Sequence, residues 1–434
     1  MESSTRADRL ELFNLNAVAT RVFHLSWMSF FLCFLAWFGV APLMPLVRDE
    51  LQLTKGQIGN TIIASVALTV LMRLLVGWLC DRIGPRLTYS ALLMGGSLPV
   101  MGIGLAESYE TFLLFRLATG AIGASFVITQ YHTTVFYSEK CLGTANATSA
   151  GWGNLGGGVA QMLMPALFAG FVGMGVSAFW GWRLCMVTVG ALCALMGVAY
   201  LLWTQDTPEG NFSELRARGA MAPRGEGGGS FWEACRDRRV WVLFVIYGAC
   251  FGVELTLNNV AALYFTDYFH LGLKEAGMVA GLFGLMNLFA RTLGGVLSDK
   301  AGARYGVQGR VLWLVSALLL EGLALMVFSQ VTGLVAAVGL LIVFSVFVKM
   351  AQGATFAVVP FVNRRAFGSV AGIVGSGGNA AAMAAGFLFK GDLPWDQAFW
   401  IMGVVVVGVA FSGLLIRLSP LETASSVSMA EGAM

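Results

Sequence analysis

Charge is scarce in this chain: Asp, Glu, Lys and Arg together supply 12% of the 434 residues, against 57% hydrophobic. Water-soluble domains carry about a quarter charged residues, so this composition excludes a soluble globule and selects a polytopic membrane protein. Cysteine is sparse and scattered. The seven positions, Cys33, Cys80, Cys141, Cys185, Cys193, Cys235 and Cys250, include no C-x-x-C pair, so neither a disulfide framework nor a metal site is expected. The three histidines, His24, His132 and His270, fall near predicted helix ends, which argues against a buried histidine relay. A nucleophile triad and a nucleotide-binding loop are also missing, so an enzyme is the least favoured class and no cofactor is expected. No cleavage signal is present either: a polar tail with Arg6, Arg9 and Arg21 precedes the first apolar run, so that helix is expected to be retained.

The chain does have long apolar runs, mostly about 20 to 30 residues, which suit spanning helices and exceed the roughly ten-residue alternating strands of a membrane barrel. Twelve helices are expected, over approximately 23–47, 57–80, 87–107, 111–137, 143–172, 182–204, 239–267, 276–298, 310–329, 334–361, 369–390 and 397–417. This predicts an all-α membrane protein with a tail 1–22, a six-helix half 23–204, a linker 205–238, a second half 239–417 and a tail 418–434. The linker is polar, with Pro208, Pro223 and the Gly-rich run Gly225 to Gly229. Tails this short hold neither a catalytic nor a nucleic-acid-binding domain. With both termini inside, 18 of the 27 Lys and Arg fall on the cytoplasmic side, and five, Arg48, Lys55, Arg183, Lys274 and Lys390, fall outside.

The stretch Leu71 to Arg86 places Arg73 inside an apolar helix that ends on Gly77-x-x-x-Asp81-Arg82-x-Gly84. Eight residues back from Asp81, at 1.5 Å per residue, puts Arg73 about 12 Å deep, near the midplane of a ~30 Å hydrocarbon core. The pattern recurs at a constant offset of 218 as Arg291, Gly295, Asp299 and Gly302. Other pairs follow: Gly123-Ala-Ser-Phe126 with Gly353-Ala-Thr-Phe356, and Gly151-Trp-Gly-Asn154-Leu-Gly-Gly-Gly158 with Gly375-Ser-Gly-Gly-Asn379. Two copies of a six-helix unit in the same orientation point to the major facilitator fold of two pseudo-symmetric halves.

The segments after Gly77 and from Arg116 to Gly123 resemble general motifs of the major facilitator superfamily. The run Gly143 to Gly158 is similar to the nitrate signature of its nitrate/nitrite porter family, and Gly375 to Asn379 matches the second signature. Tyr247 to Leu255, Asn258-Asn259-Val260 and Gln130-Tyr131 resemble the plant- and cyanobacterial-type high-affinity branch. The short C-terminal tail departs from the plant members, and an accessory subunit is not expected.

A cation at the centre of a spanning helix costs about 2.5–3.5 kcal/mol even on the lenient insertion scale, so Arg73 and Arg291 need a purpose. A planar guanidinium fork matches a planar oxyanion, and the resemblance implies that role for both. The glycine runs suit close helix packing, whereas Asn154 and Asn379 must find partners inside apolar helices; the resemblance places Asn154 near substrate. Tyr247, Phe251, Glu254 and Asn258 share one helix face. The resemblance implies an aromatic clamp from Phe126, Tyr247 and Phe251, with Phe356 as the repeat mate of Phe126. Glu254 and Glu321 are the deepest carboxyl groups, each either a neutral buried acid or a proton carrier, with Glu254 preferred as the carrier. Lys349 is expected to pair with a carboxylate such as Glu321, and Arg116 to be structural or coupling.

The expectation is a secondary active transporter in the plasma or inner membrane that imports nitrate, and also nitrite, by alternating access with proton symport. Its partners are then the anion, protons and the lipid bilayer. The alternatives are a nitrate/nitrite exchanger, a phosphate or organic-anion carrier, and a nitrate sensor that does not transport.

Overall fold

A computed structural model describes residues 6–138, 141–219, 231–362 and 367–416. The Gly-rich part of the linker, the C-terminal tail and the side chain of Asp81 lie outside the described residues. Regular structure among those described is helical, apart from two isolated bridges, Ala7 with Tyr137 and Thr207 with Gly210. Eleven segments are long and apolar enough to cross a membrane. Ten of them are α1 (Val18–Leu51), α2 (Lys55–Cys80), α3 (Pro85–Leu105), α4 (Tyr109–Phe136), α5 (Thr144–Gly173), α6 (Ala178–Trp203), α7 (Arg238–Phe269), α10 (Leu334–Val358), α11 (Val370–Phe389) and α12 (Trp395–Leu415).

The remaining segment, Leu273–Ser329, has 57 residues. As one rod it would measure about 85 Å, nearly three times the hydrocarbon thickness. It reverses instead at Gly306, whose φ of 65° and ψ of −163° lie in a region that glycine enters freely. The indole N–H of Trp313 donates to the Gly294 carbonyl at 3.1 Å across 19 residues of chain, and Asp299 pairs with Arg310. On a straight helix Trp313 would lie about 28 Å from Gly294. The segment is therefore two helices, α8 (273–305) and α9 (307–329), and the described residues hold twelve helices for the twelve expected crossings.

Local chemistry sets several helix ends. Thr54 and Gln57 form a capping box at the start of α2, and Ser108 with Thr111 does the same for α4. Between α2 and α3, Gly84 adopts φ 92° and Pro85 opens α3. Asp206, just past α6, accepts the backbone N–H of Arg86 at 2.9 Å and of Phe212 at 3.0 Å, so one carboxylate caps α3 and a short helix, Phe212–Ala217, at once. Burial, the largest influence on it, lifts this carboxyl above its usual range against the pull of those two N–H groups.

By packing, the described residues form two compact units. The first holds the chain up to 219 with Leu255–Leu288 and Ala382–Trp395; the second holds 231–254, Phe289–Ala381 and the chain from Asp396 onward. This grouping does not follow chain order. Many of the largest exposed side chains are apolar, among them Leu71, Leu74, Trp78, Leu195 and Val335, as a surface facing lipid acyl chains requires.

Candidate functional site

In the second unit α8 and α10 touch backbone to backbone. A methyl group on Gly353 would collide with the Arg291 carbonyl oxygen, and one on Gly294 with the Met350 backbone. This approach sets Arg291, 3% exposed, beside Gln352, 0% exposed. One guanidinium nitrogen of Arg291 donates to Gln352 Oε1 at 3.2 Å and another donates to the Tyr247 hydroxyl at 3.3 Å. The helix that carries Arg291 restarts at Ala290 after a 3-10 turn over Met286–Leu288, so the positive end of a helix dipole adds to the guanidinium charge. Aromatic rings pack on the Tyr247 member of this set: Phe251 stacks on it at 5.1 Å between centroids, and Phe356 meets it edge-on at 5.0 Å.

A charge pair lies next to it. Lys349 Nζ is 2.6 Å from Glu254 Oε1, and Gln352 Nε2 donates to Glu254 Oε2 at 2.6 Å. Gln352 thus stands between Arg291 and Glu254. Both charged side chains of the pair are fully buried, which calls for this degree of hydrogen bonding to offset the cost of desolvation. Glu321, 0% exposed, has Lys349 and Glu254 as electrostatic neighbours, and neither of its oxygens has a hydrogen-bond partner among the described residues. The sequence-based pairing of Lys349 with Glu321 is therefore corrected: the lysine bonds Glu254 across from α10 to α7. Asn379, also fully buried, has no partner for either carboxamide atom among the described residues, and the preceding Gly378 is packed so tightly on the Phe251 ring that a methyl group there would not fit.

In the first unit Arg73, 4% exposed, sits with its guanidinium carbon 5.7 Å from the Phe126 ring centroid. Phe126 lies 5.8 Å from Phe30, and Phe30 fills the space a side chain at Gly153 would need. The series brings α2, α4, α1 and the signature helix α5 together. Asn154, adjoining Gly153, is 1% exposed, and both atoms of its carboxamide are without a partner among the described residues. The signature glycines have the packing role as well: Gly158 meets Gly284 so closely that neither could carry a side chain.

The chain matches the Major Facilitator Superfamily over residues 26–386. High affinity nitrate transporter 2.5 of Arabidopsis thaliana is 37% identical over 420 residues, which cover 96% of this chain and 83% of that one. Nitrate transporter 2.1 of Chlamydomonas reinhardtii is 35% identical, covering 94% of this chain and 76% of its own length. The chain belongs to the nitrate/nitrite porter family of the Major Facilitator Superfamily. Nitrate/nitrite transporter NrtP of a Picosynechococcus strain is a further relative, 29% identical over 84% of this chain and 83% of its own. Among solved structures, a bacterial homologue of the human lysosomal transporter Spinster superposes with a TM-score of 0.71 at 19% identity, over 92% of this chain and 96% of that one. That likeness speaks for the fold alone.

For a member of this family, the superfamily's helix-four arginine has a clear structural use here. Arg116 donates to Asn259 Oδ1 at 2.7 Å and to the Trp37 carbonyl at 3.3 Å, while the Trp37 indole donates to the Ser65 carbonyl at 2.6 Å. His132 lies near a helix end as expected but is wholly buried, bonded to the Tyr200 hydroxyl at 2.5 Å and the Gln205 carbonyl at 2.8 Å. A backbone carbonyl cannot pass a proton onward, so this contact is a lock and not a relay. Sequence reasoning missed Gln352 and Phe30. The 3, 4 spacing of Lys349, Gln352 and Phe356 was a signal for the first, since it sets all three on one face of α10; Phe30, one of many phenylalanines, offered none.

Proposed function

We propose that this protein is a secondary transporter that imports nitrate, and nitrite with it, by alternating access and together with protons. The observation that carries the reading is Arg291: a deeply buried guanidinium held by the neutral groups of Gln352 and Tyr247, with Phe251 and Phe356 packed on the Tyr247 ring. Those two contacts are to neutral groups, flat rings suit a flat and weakly hydrated anion, and the named relatives are nitrate transporters. Arg73 over Phe126 supplies the same kind of chemistry from the first repeat, so each arginine serves as an anion ligand. Asn154 and Asn379, buried with unsatisfied carboxamides, are further ligands in this reading.

Coupling follows from electrostatics. An inside-negative membrane opposes anion entry by about 2.3 kcal/mol per charge per 100 mV, so inward accumulation requires compensating positive charge. Glu254, within the buried network next to Arg291, is the proton carrier, and Glu321 is the alternative. The membrane is the plasma or inner membrane, with both termini and the 205–238 linker cytoplasmic, as the Lys and Arg distribution favours.

Counterflow of labelled nitrate in proteoliposomes tests the transport reading. Its absence would leave a sensor, block by phosphate but not nitrate would leave a phosphate carrier, and uptake that requires internal nitrite and ignores a pH gradient would leave an exchanger. A cysteine introduced at Gly227 is expected to react only with reagents on the cytoplasmic side; labelling from outside would reverse the orientation.

A further inference from the structure

We propose that the Gln352 carboxamide is a two-position switch that ties anion binding at Arg291 to protonation of Glu254, with Lys349 as the fixed counter-charge. The proposal rests on the reading of the chain as a nitrate transporter and names the residue that couples its two substrates.

Each neighbour of Gln352 restricts which way its carboxamide can face. A guanidinium only donates hydrogen bonds, so the atom of Gln352 facing Arg291 must be the carbonyl oxygen, as it is at 3.2 Å. The amide nitrogen then faces Glu254 at 2.6 Å, which requires that carboxyl oxygen to accept. Lys349 Nζ lies 2.6 Å from the other carboxyl oxygen in an ion pair. With one oxygen accepting from Gln352 and the other facing an ammonium group, the arrangement suits an ionised Glu254.

An anion that binds Arg291 reverses the requirement. The guanidinium N–H that reached Gln352 turns to the anion, and the Gln352 oxygen is left facing negative charge without a donor. Rotation of the carboxamide by half a turn removes the conflict: the NH2 group donates toward the anion, and the carbonyl oxygen turns to Glu254. Two acceptors cannot face one another in a buried site without a proton between them. Glu254 therefore takes one proton from the facing solution, forms an O–H bond and donates it to Gln352. One anion and one proton have entered, and the charge of the cluster is the same as when it was empty. Lys349 retains its charge throughout, with the anion replacing the Glu254 carboxylate as balancing charge.

The switch is confined by its surroundings. Among the described residues, the charged and titratable groups along the Arg291–Gln352–Glu254 chain are Lys349 from α10, Glu321 from α9, and Cys250 and Tyr247 from α7 itself. Gln352 also donates to the Cys250 carbonyl at 3.5 Å, which gives the amide nitrogen a second acceptor next to Glu254 in this orientation. A leucine of similar size at 352 would fill the space and make neither set of bonds.

The test counts protons on the whole purified protein in weakly buffered detergent solution, with a pH-indicator dye and sodium nitrate as the probe. Wild type is expected to take up about one proton per nitrate bound, and its nitrate Kd is expected to rise about tenfold per pH unit where that proton is linked. Gln352→Leu and Glu254→Gln are expected to take up almost none, and nitrate bound by either is expected to have a pH-independent Kd. Proton uptake at the wild-type level by Gln352→Leu would overturn the switch, even if Glu254→Gln had lost it. If neither variant binds nitrate, infrared difference spectra of wild type decide: nitrate should raise a protonated-carboxyl band together with a shifted glutamine amide band, and absence of either overturns the proposal. Wild type that exchanges nitrate without taking up a proton sinks the switch and leaves transport standing. Wild type that neither binds nor exchanges nitrate sinks the transport reading itself.

Discussion

Replacing Arg291 by lysine keeps the charge and removes the fork, which makes it the sharpest test of how the anion is held. In the structure two different nitrogens of Arg291 reach Gln352 and Tyr247, at 3.2 and 3.3 Å. A lysine has one nitrogen on a shorter stem, so at least one of these buried contacts is lost, and with it the parallel pair of donors a planar oxyanion needs. Hydrogen bonds to charged groups contribute about 1.5–3 kcal/mol each. At 1.4 kcal/mol per tenfold, Arg291→Lys should weaken nitrate binding roughly 10- to 150-fold. Titration calorimetry on purified protein measures the affinity, and a thermal melt measures folding. A wild-type Kd would remove Arg291 from the site. A weakened Kd accompanied by a collapsed melting temperature would mean that the residue holds the fold and not the anion. Arg73→Lys should behave alike, because the guanidinium over Phe126 is lost with the fork.

Three further outcomes are expected. Lys349→Met alone should strand the buried Glu254 charge at a cost of about 3–5 kcal/mol, and adding Glu254→Gln should restore part of it, so a double variant that melts no higher than the single lysine change would refute the pair. Gly353→Leu should abolish nitrate binding by driving α10 off Arg291, whereas Gly372→Ala, with open space around it, should be silent; normal affinity in the leucine variant would contradict the close approach. Asp206→Ala should lose two helix caps, about 0.5–2 kcal/mol each, and Asp206→Asn should lose less. Since folding raises the Asp206 pKa, its contribution to stability is fully present at low pH and declines as pH rises through the folded value. The melting temperature of wild type relative to Asp206→Asn should therefore fall over that window, and a constant difference would contradict the raised pKa.

The sequence by itself determined the solvent, the number of crossings and the family. Apolar length is dictated by bilayer thickness, and a repeat at a constant offset survives in the chain regardless of how it packs. The same reasoning picked out Arg73 and Arg291, because a cation in an apolar helix is conspicuous against its surroundings. Tertiary structure alone decided which groups meet. Lys349 could pair with any carboxylate within reach of α10, and its partner turned out to be Glu254, because that depends on which helix faces α10 and at what height. Gln352 carries no charge and breaks no pattern, so its position between Arg291 and Glu254 became visible only once the glycine contacts had brought α8 and α10 together. The reversal inside 273–329 lay between these cases: its length demanded a break, but Gly306 was one of several glycines near the middle, and only the contact between Trp313 and Gly294 placed the fold on it.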